Sequence, residues 1–252
     1  MIESQQIRMN YGDKEILHPF SFELPEQQLV AFIGPNGAGK STYLSILSRL
    51  KKATAGEVYL DKTELKSWKS KELAKKLAIL KQSNSIQLAI SVRDLVSFGR
   101  FPYSSGKLTA ADEQFVDEAL QSMNLLELQH EPIDSLSGGQ LQRVYIAMIL
   151  AQDTDYILLD EPLNNLDLNH ANQMMRLLKK LVTERQKTVV IVLHDINFAA
   201  SYADYVLAMR DGEIVAKGTT ADVMTEGILT DLYQLPIRIC EIEGTRFCLY
   251  YQ

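Results

Sequence analysis

Nine residues limit this chain to a narrow set of folds. Gly34, Pro35, Asn36, Gly37, Ala38, Gly39, Lys40, Ser41 and Thr42 match the pattern G-x-x-x-x-G-K-[ST]. They lie between an apolar run, residues 28–33, and a segment, residues 40–50, that places Tyr43, Leu44, Leu47 and Leu50 at helical spacing. A strand therefore feeds a helix through a glycine-rich turn. Glycines let successive backbone N–H groups face phosphate oxygens, and the helix start adds its partial positive charge. Lys40 is expected to reach the β- and γ-phosphates of a nucleotide, and the Ser41 hydroxyl to ligate Mg²⁺.

The rest of the pattern reads as an α/β fold. Residues 2–9, 17–24 and 28–33 are predicted strands, separated by turn signals at Tyr11 to Asp13 and at Pro25 and Glu26. Residues 57–60 and 78–80 are further strands around a Lys-rich helix, 70–77, and a parallel sheet is expected to begin there. From 91 to 150 the chain reads as helical, with helix starts at Ser91 and Thr109, each followed three residues on by an aspartate. This segment is the expected inserted helical subdomain. Strands and helices then alternate: strand 156–159, helix 167–183, strand 188–193, helix 195–202. Such continuous apolar strands suit a parallel sheet covered on both faces. A hairpin is expected around Asp211 and Gly212, then a helix over 220–233 and a second hairpin, 237–250, around Gly244. The expected organisation is one domain, 1–252, with residues 1–90 and 151–252 forming the core and an N-terminal antiparallel β subdomain.

Two further clusters carry chemistry. The apolar run 156–159 ends in Asp160, Glu161 and Pro162, and ligands bind at the carboxyl ends of strands in such sheets. Asp160 is expected to hold Mg²⁺, and Glu161 to orient or deprotonate an attacking water. Leu136, Ser137, Gly138, Gly139 and Gln140 precede a second apolar helix, with Ser137 as its N-cap, which makes another anion-attracting helix start.

Composition narrows the partners. With 26 Lys and Arg against 32 Asp and Glu the net charge is −6, which argues against broad nucleic-acid binding. The longest unbroken apolar stretch, 144–151, is far short of the ~18 residues a membrane span needs. No secretory signal is visible at the N-terminus, and Cys240 and Cys248 are too far apart for a CxxC motif, so a reducing compartment is expected.

Residues 34–42, 136–140 and 159–162, in that order and flanked by Gln82 and His194, resemble the ATP-binding subunit of ATP-binding cassette (ABC) transporters across essentially the whole chain. The LSGGQ sequence discriminates, because other phosphate-loop enzymes share the first and third motifs without it. The resemblance implies an ABC-type P-loop NTPase that hydrolyses ATP with Mg²⁺. It assigns Tyr11 to stacking on adenine, Gln82 to sensing Mg²⁺ and His194 to the γ-phosphate, and it places Asp167 in a loop along a dimer interface. Asn164 and Asn165 stand where a Thr or Ser often appears first in that loop. Ser137, Gly138, Gly139 and Gln140 of a second copy are implied to close the site, two ATP molecules being sandwiched between two chains.

The resemblance also implies integral membrane permease subunits docking beside Gln82, an extracytoplasmic substrate-binding protein, no nucleic-acid partner, and a peripheral place on the cytoplasmic face of the membrane. Residues 91–103 look similar to the matching stretch in importers of iron–siderophore complexes, haem and cobalamin. With Asn164 and Asn165, residues 96–103 are most similar to the catechol-siderophore branch, such as petrobactin importers. Iron–siderophore import is the first expectation, haem or cobalamin import the second, and a soluble non-transport ABC ATPase the third. The third usually carries two cassettes or a coiled-coil insertion, and no heptad run is seen here.

Overall fold

Strand-forming residues dominate the first third of the chain. In the computed structural model, which describes residues 1–82, 89–104 and 106–250, β1 (Ile2–Tyr11) and β2 (Lys14–Glu23) form an antiparallel hairpin. Next come β3 (Leu29–Ile33), α1 (Lys40–Leu47), β4 (Ala55–Leu60) and β5 (Thr63–Glu64), then α2 (Ser70–Lys76) and β6 (Leu77–Leu80). Helices α3 (Val92–Ser97), α4 (Phe101–Ser104), α5 (Ala110–Ser122) and α6 (Gly138–Gln152) lie between β6 and β7 (Tyr156–Asp160). The chain continues through α7 (Leu168–Arg185), β8 (Thr188–Val192), α8 (Ile196–Tyr202), β9 (Tyr205–Arg210) and β10 (Glu213–Thr219). It ends with α9 (Thr220–Val223), α10 (Glu226–Tyr233), β11 (Arg238–Ile242) and β12 (Thr245–Leu249).

Six strands make the central sheet, in the order β10-β9-β3-β8-β7-β6. All its pairings are parallel except β9 with β10, the hairpin that turns at Asp211 and Gly212. β3, β7 and β8 bury every residue, which is why their sequences read as unbroken apolar runs. Successive side chains leave opposite faces of a strand, and two cores follow from that alternation. Ala31, Ile33, Ile157, Leu159, Val189 and Ile191 face the layer of α3, α5, α6 and α7. Val30, Phe32, Leu158, Val190 and Val192 face α1 and the antiparallel sheet, where Phe32 stacks on the buried Tyr43 ring at 5.6 Å and Phe20 meets the same ring edge-on at 4.9 Å.

Three expectations need correction. The strand at 57–60 does not open the parallel sheet: β4 pairs antiparallel with β1, Ile2 opposite Leu60, in the sheet β2-β1-β4-β5. Its alternation of buried Val58 and Leu60 with more exposed neighbours suits a sheet packed on one face only. The helix expected over 40–50 ends at Leu47, because the chain turns through a positive φ of 61° at Arg49. The helix expected over 220–233 is two helices, interrupted at Met224, whose φ and ψ of −80° and 68° leave the helical region while its side chain is buried.

Helix starts follow the local chemistry closely. Ser91 with Asp94, Thr109 with Asp112 and Ser137 with Gln140 each form a reciprocal capping box. The last hairpin docks on α8 through a two-way bond, the Asn197 amide donating to the Cys248 carbonyl at 3.4 Å and the Cys248 N–H to Asn197 Oδ1 at 2.7 Å. Among the described residues no helix is long and apolar enough to cross a membrane.

Candidate active site

Four adjacent strands deliver the chemistry to one edge. β3 runs into the glycine-rich loop, β8 ends before His194, β7 ends in Asp160 followed by Glu161, and β6 ends before Gln82. The parallel register, Phe32 beside Val192, Val192 beside Asp160 and Leu80 beside Leu159, keeps these ends level, and such an edge is where open α/β sheets bind ligands.

The loop is held by backbone geometry that only glycine meets at its ends. Gly34 has φ 139°, and a Cβ there would sit 1.9 Å from the Met209 carbonyl oxygen. Gly39, the residue before α1, has φ 99° with the Leu17 side chain 2.5 Å from where a Cβ would lie. Gly34→Ala is expected to cost at least about 2 kcal/mol in a denaturant titration, since the opposing atom is backbone and cannot swing away. A variant as stable as the parent would show that the loop end tolerates a side chain.

Lys40 is buried, and its Nζ donates to the carbonyls of Gly34 at 2.6 Å and Pro35 at 2.9 Å. Burial pushes its pKa below the ordinary lysine value, opposed by the charges of Glu161 and Asp160. The Ser41 hydroxyl donates to Asp160 Oδ1 at 2.7 Å. Asp160 is itself buried, and burial raises its pKa, with the Ser41 hydrogen bond pulling it down and the Glu161 charge pushing it further up. Lys40 and His194 act to lower it.

Glu161 stands at φ 51°, a backbone conformation uncommon outside glycine, with its side chain 8% exposed. Three side chains hold its carboxylate. Gln82 donates to Oε2 at 2.6 Å, Asn164 donates to the same oxygen at 2.9 Å, and His194 Nε2 lies 2.6 Å from Oε1. Asn164 thus has a direct task, and Asn165, at φ 67°, is of a residue type that tolerates the left-handed conformation.

Glu161 and His194 line a cleft of about 560 Å³ together with Tyr11 and residues 36–42. Gly34, Pro35, Asp160 and Gln82 do not line it; they act on residues that do. Ser137, Gly138, Gly139 and Gln140 are elsewhere. They open α6, with Ser137 and Gly138 exposed and Gly139 packed on Asn165, whose carbonyl would meet a Cβ at 2.9 Å. Asp167 caps α7 by accepting from the His170 N–H at 2.8 Å, a bond that, with the His170 ring, holds its carboxyl below the usual range.

A strand-fed glycine-rich loop, a half-buried Ser41 bonded to the buried Asp160 and a held carboxylate together suit Mg²⁺-dependent chemistry on a nucleotide phosphate. The family model for ABC transporters matches residues 17–164. The chain belongs to the ABC transporter family. It is 49% identical over 251 residues to the petrobactin import ATP-binding protein YclP of Bacillus subtilis (strain 168), covering 100% of both chains. It is 37% identical to the ferric enterobactin transport ATP-binding protein FepC of Escherichia coli (strain K12), over 97% of this chain and 92% of that one. Among solved structures, a dimeric post-hydrolysis state of the ATP-binding cassette MJ0796 bound to ADP and Pi superposes with a TM-score of 0.78 at 32% identity, covering 87% of this chain and 99% of that one.

This ABC cassette also uses residues that its motifs do not announce. The Gly34 N–H donates to the Tyr233 hydroxyl at 3.1 Å, and Tyr233 is pushed to a high pKa by burial. Gln142 donates to the Pro162 carbonyl at 3.0 Å, tying α6 to the exit from β7. The Gly212 N–H donates to the Ala38 carbonyl at 3.2 Å, so the β9–β10 turn braces the phosphate loop from outside. No local signal points to Tyr233, which is 199 residues from its partner. The one available hint for Gln142 is its place one turn after Gly138 on the same helix face.

Proposed function

We propose that this chain is the ATP-hydrolysing subunit of a membrane importer of iron–siderophore complexes, with catechol siderophores of the petrobactin type as first choice. The observation that carries the enzymatic reading is the Glu161 carboxylate, fixed from three sides at the mouth of the phosphate-loop cleft. The choice of cargo is supported by the full-length similarity to ATP-binding proteins of petrobactin and enterobactin import.

In this reading residues 34–42 wrap the phosphates of ATP, Lys40 exchanging a loop carbonyl for a phosphate oxygen, and Tyr11 presents its ring to the adenine. The Ser41 hydroxyl and the Asp160 carboxylate suit Mg²⁺, which takes oxygen donors from one or two protein groups and the rest from water and phosphate; Gln82 is the third candidate. When bound, Mg²⁺ would supply positive charge against the phosphates held by this loop. Glu161 orients the attacking water and takes its proton, and His194 faces the γ-phosphate.

The chain's own Ser137 and Gly139 do not line the cleft. A second copy supplies them, so two ATP molecules are held between two chains, with Asp167 along the contact. Residues 91–150 form an inserted helical subdomain against a core of 1–90 and 151–252. Integral membrane permease subunits dock beside Gln82 and that insertion, at the cytoplasmic face of the membrane, and an extracytoplasmic binding protein delivers the chelate.

The test is uptake of radiolabelled iron supplied as petrobactin by cells lacking this chain, complemented with the parent sequence or Glu161→Gln. Rescue by the parent alone is the expected result. If both proteins are expressed and neither rescues, the iron reading fails, and haem and cobalamin uptake are measured in the same strains.

A further inference from the structure

We infer that Lys51 is a positioning residue of the nucleotide site, holding the Tyr11 ring in place as the platform for the base. The inference rests on the reading of Tyr11 as that platform. Tyr11 closes β1 at the rim of the phosphate-loop cleft and is 45% exposed, so nothing in the apolar core restrains its ring. An exposed tyrosine is free to exchange rotamers on the ps–ns scale, and every rotamer but one is lost when a base stacks on it.

Lys51 supplies the missing restraint. Its Nζ lies 4.8 Å from the ring centroid and also donates to the Tyr11 hydroxyl oxygen. Tyr11 lines the phosphate-loop cleft while Lys51 lines the neighbouring groove beside Ile46, Arg49 and Lys52. The ammonium therefore holds the ring by its hydroxyl edge and leaves the ring faces to a ligand.

The backbone makes this a built arrangement. Lys51 follows the end of α1, and its N–H donates to the Ser45 carbonyl at 3.0 Å. Three residues on, the Thr54 N–H donates to the Arg8 carbonyl at 2.9 Å, and the Asn10 N–H donates to Thr54 Oγ1 at 3.0 Å. The segment that carries Lys51 is thus stitched to the strand that carries Tyr11. The helix that begins with the phosphate-binding Lys40 and Ser41 ends by placing the cation that backs the base platform, so one element sets the spacing between the two halves of the site.

The experiment compares ATP with inorganic tripolyphosphate, which has the phosphates and no base, by calorimetric titration of the full chain. Lys51→Met keeps most of the apolar stem and removes the charge. It is expected to weaken ATP roughly two- to tenfold, the worth of one hydrogen bond to the ring hydroxyl, and to leave tripolyphosphate within error. Lys51→Arg is expected to restore the affinity for ATP. Added to Tyr11→Ala, Lys51→Met should cause no further loss, because the two residues act as one unit. Equal losses for ATP and tripolyphosphate would mean that the charge acts on the phosphates, and no loss for either would mean that Lys51 is idle; both outcomes overturn the inference. If Tyr11→Ala itself binds ATP like the parent, the platform reading fails first, a result distinct from failure of Lys51 alone.

Discussion

Glu161→Gln is expected to bind ATP as the parent does and to hydrolyse it about 10²- to 10⁴-fold more slowly, the span that a positioned general base contributes. The replacement keeps the side-chain volume and one carbonyl oxygen that can still accept from Gln82 and Asn164, while the charge and the basic oxygen facing His194 are lost. Two consequences separate this from a folding defect. ATP binding survives, and with ATP present the variant accumulates as a dimer in size-exclusion chromatography because the nucleotide that holds the two copies is not consumed. A variant that turns over at the parental rate would remove Glu161 from the chemistry and leave Asp160 or His194 to carry it.

Lys40→Ala is expected to weaken ATP about ten- to hundredfold in the same kind of titration, the worth of a charge-assisted hydrogen bond made in a buried place. The ammonium is held ready by the Gly34 and Pro35 carbonyls, and two carboxylates nearby oppose the loss of its proton that burial favours. Alanine removes both the charge and the partner of those two carbonyls. Thermal unfolding of the variant shows whether the loop itself is disturbed. Parental affinity in a folded variant would contradict the assignment of residues 34–42 to phosphate binding.

The two variants read different halves of the cleft, and their contrast is informative. One keeps binding and loses turnover, the other loses binding first. A mechanism in which both groups serve only to fold the loop predicts similar losses of stability and no such contrast.

Much of this arrangement was legible in the residues. The glycine-rich loop announced itself because a strand, a turn that needs positive φ and a helix start are each local, decided within a few residues. The capping boxes at Ser91, Thr109 and Ser137 are of the same kind, although at Ser137 the sequence shows only the N-cap. Asp160 and Glu161 were found because a buried strand that ends in acids has one place to put them. Asn164 stands out in the sequence as a departure from a pattern, but its bond to Glu161 is not readable there, since nothing in an asparagine specifies its partner.

Sequence alone determined most of the strands and helices, where the glycine-rich loop sits and which family the motifs resemble. It did so because hydrophobic period, capping and turn chemistry act between near neighbours in the chain. Only the tertiary structure decided that β4 joins β1, that Gln82 reaches Glu161 across 79 residues, and that Tyr233 bonds to Gly34, Gln142 to Pro162 and Lys51 to Tyr11. It also placed Ser137 and Gly139 away from the chain's own cleft. Strand order and long-range side-chain partners are settled by how two apolar faces of one sheet are covered, and that choice depends on the whole chain at once.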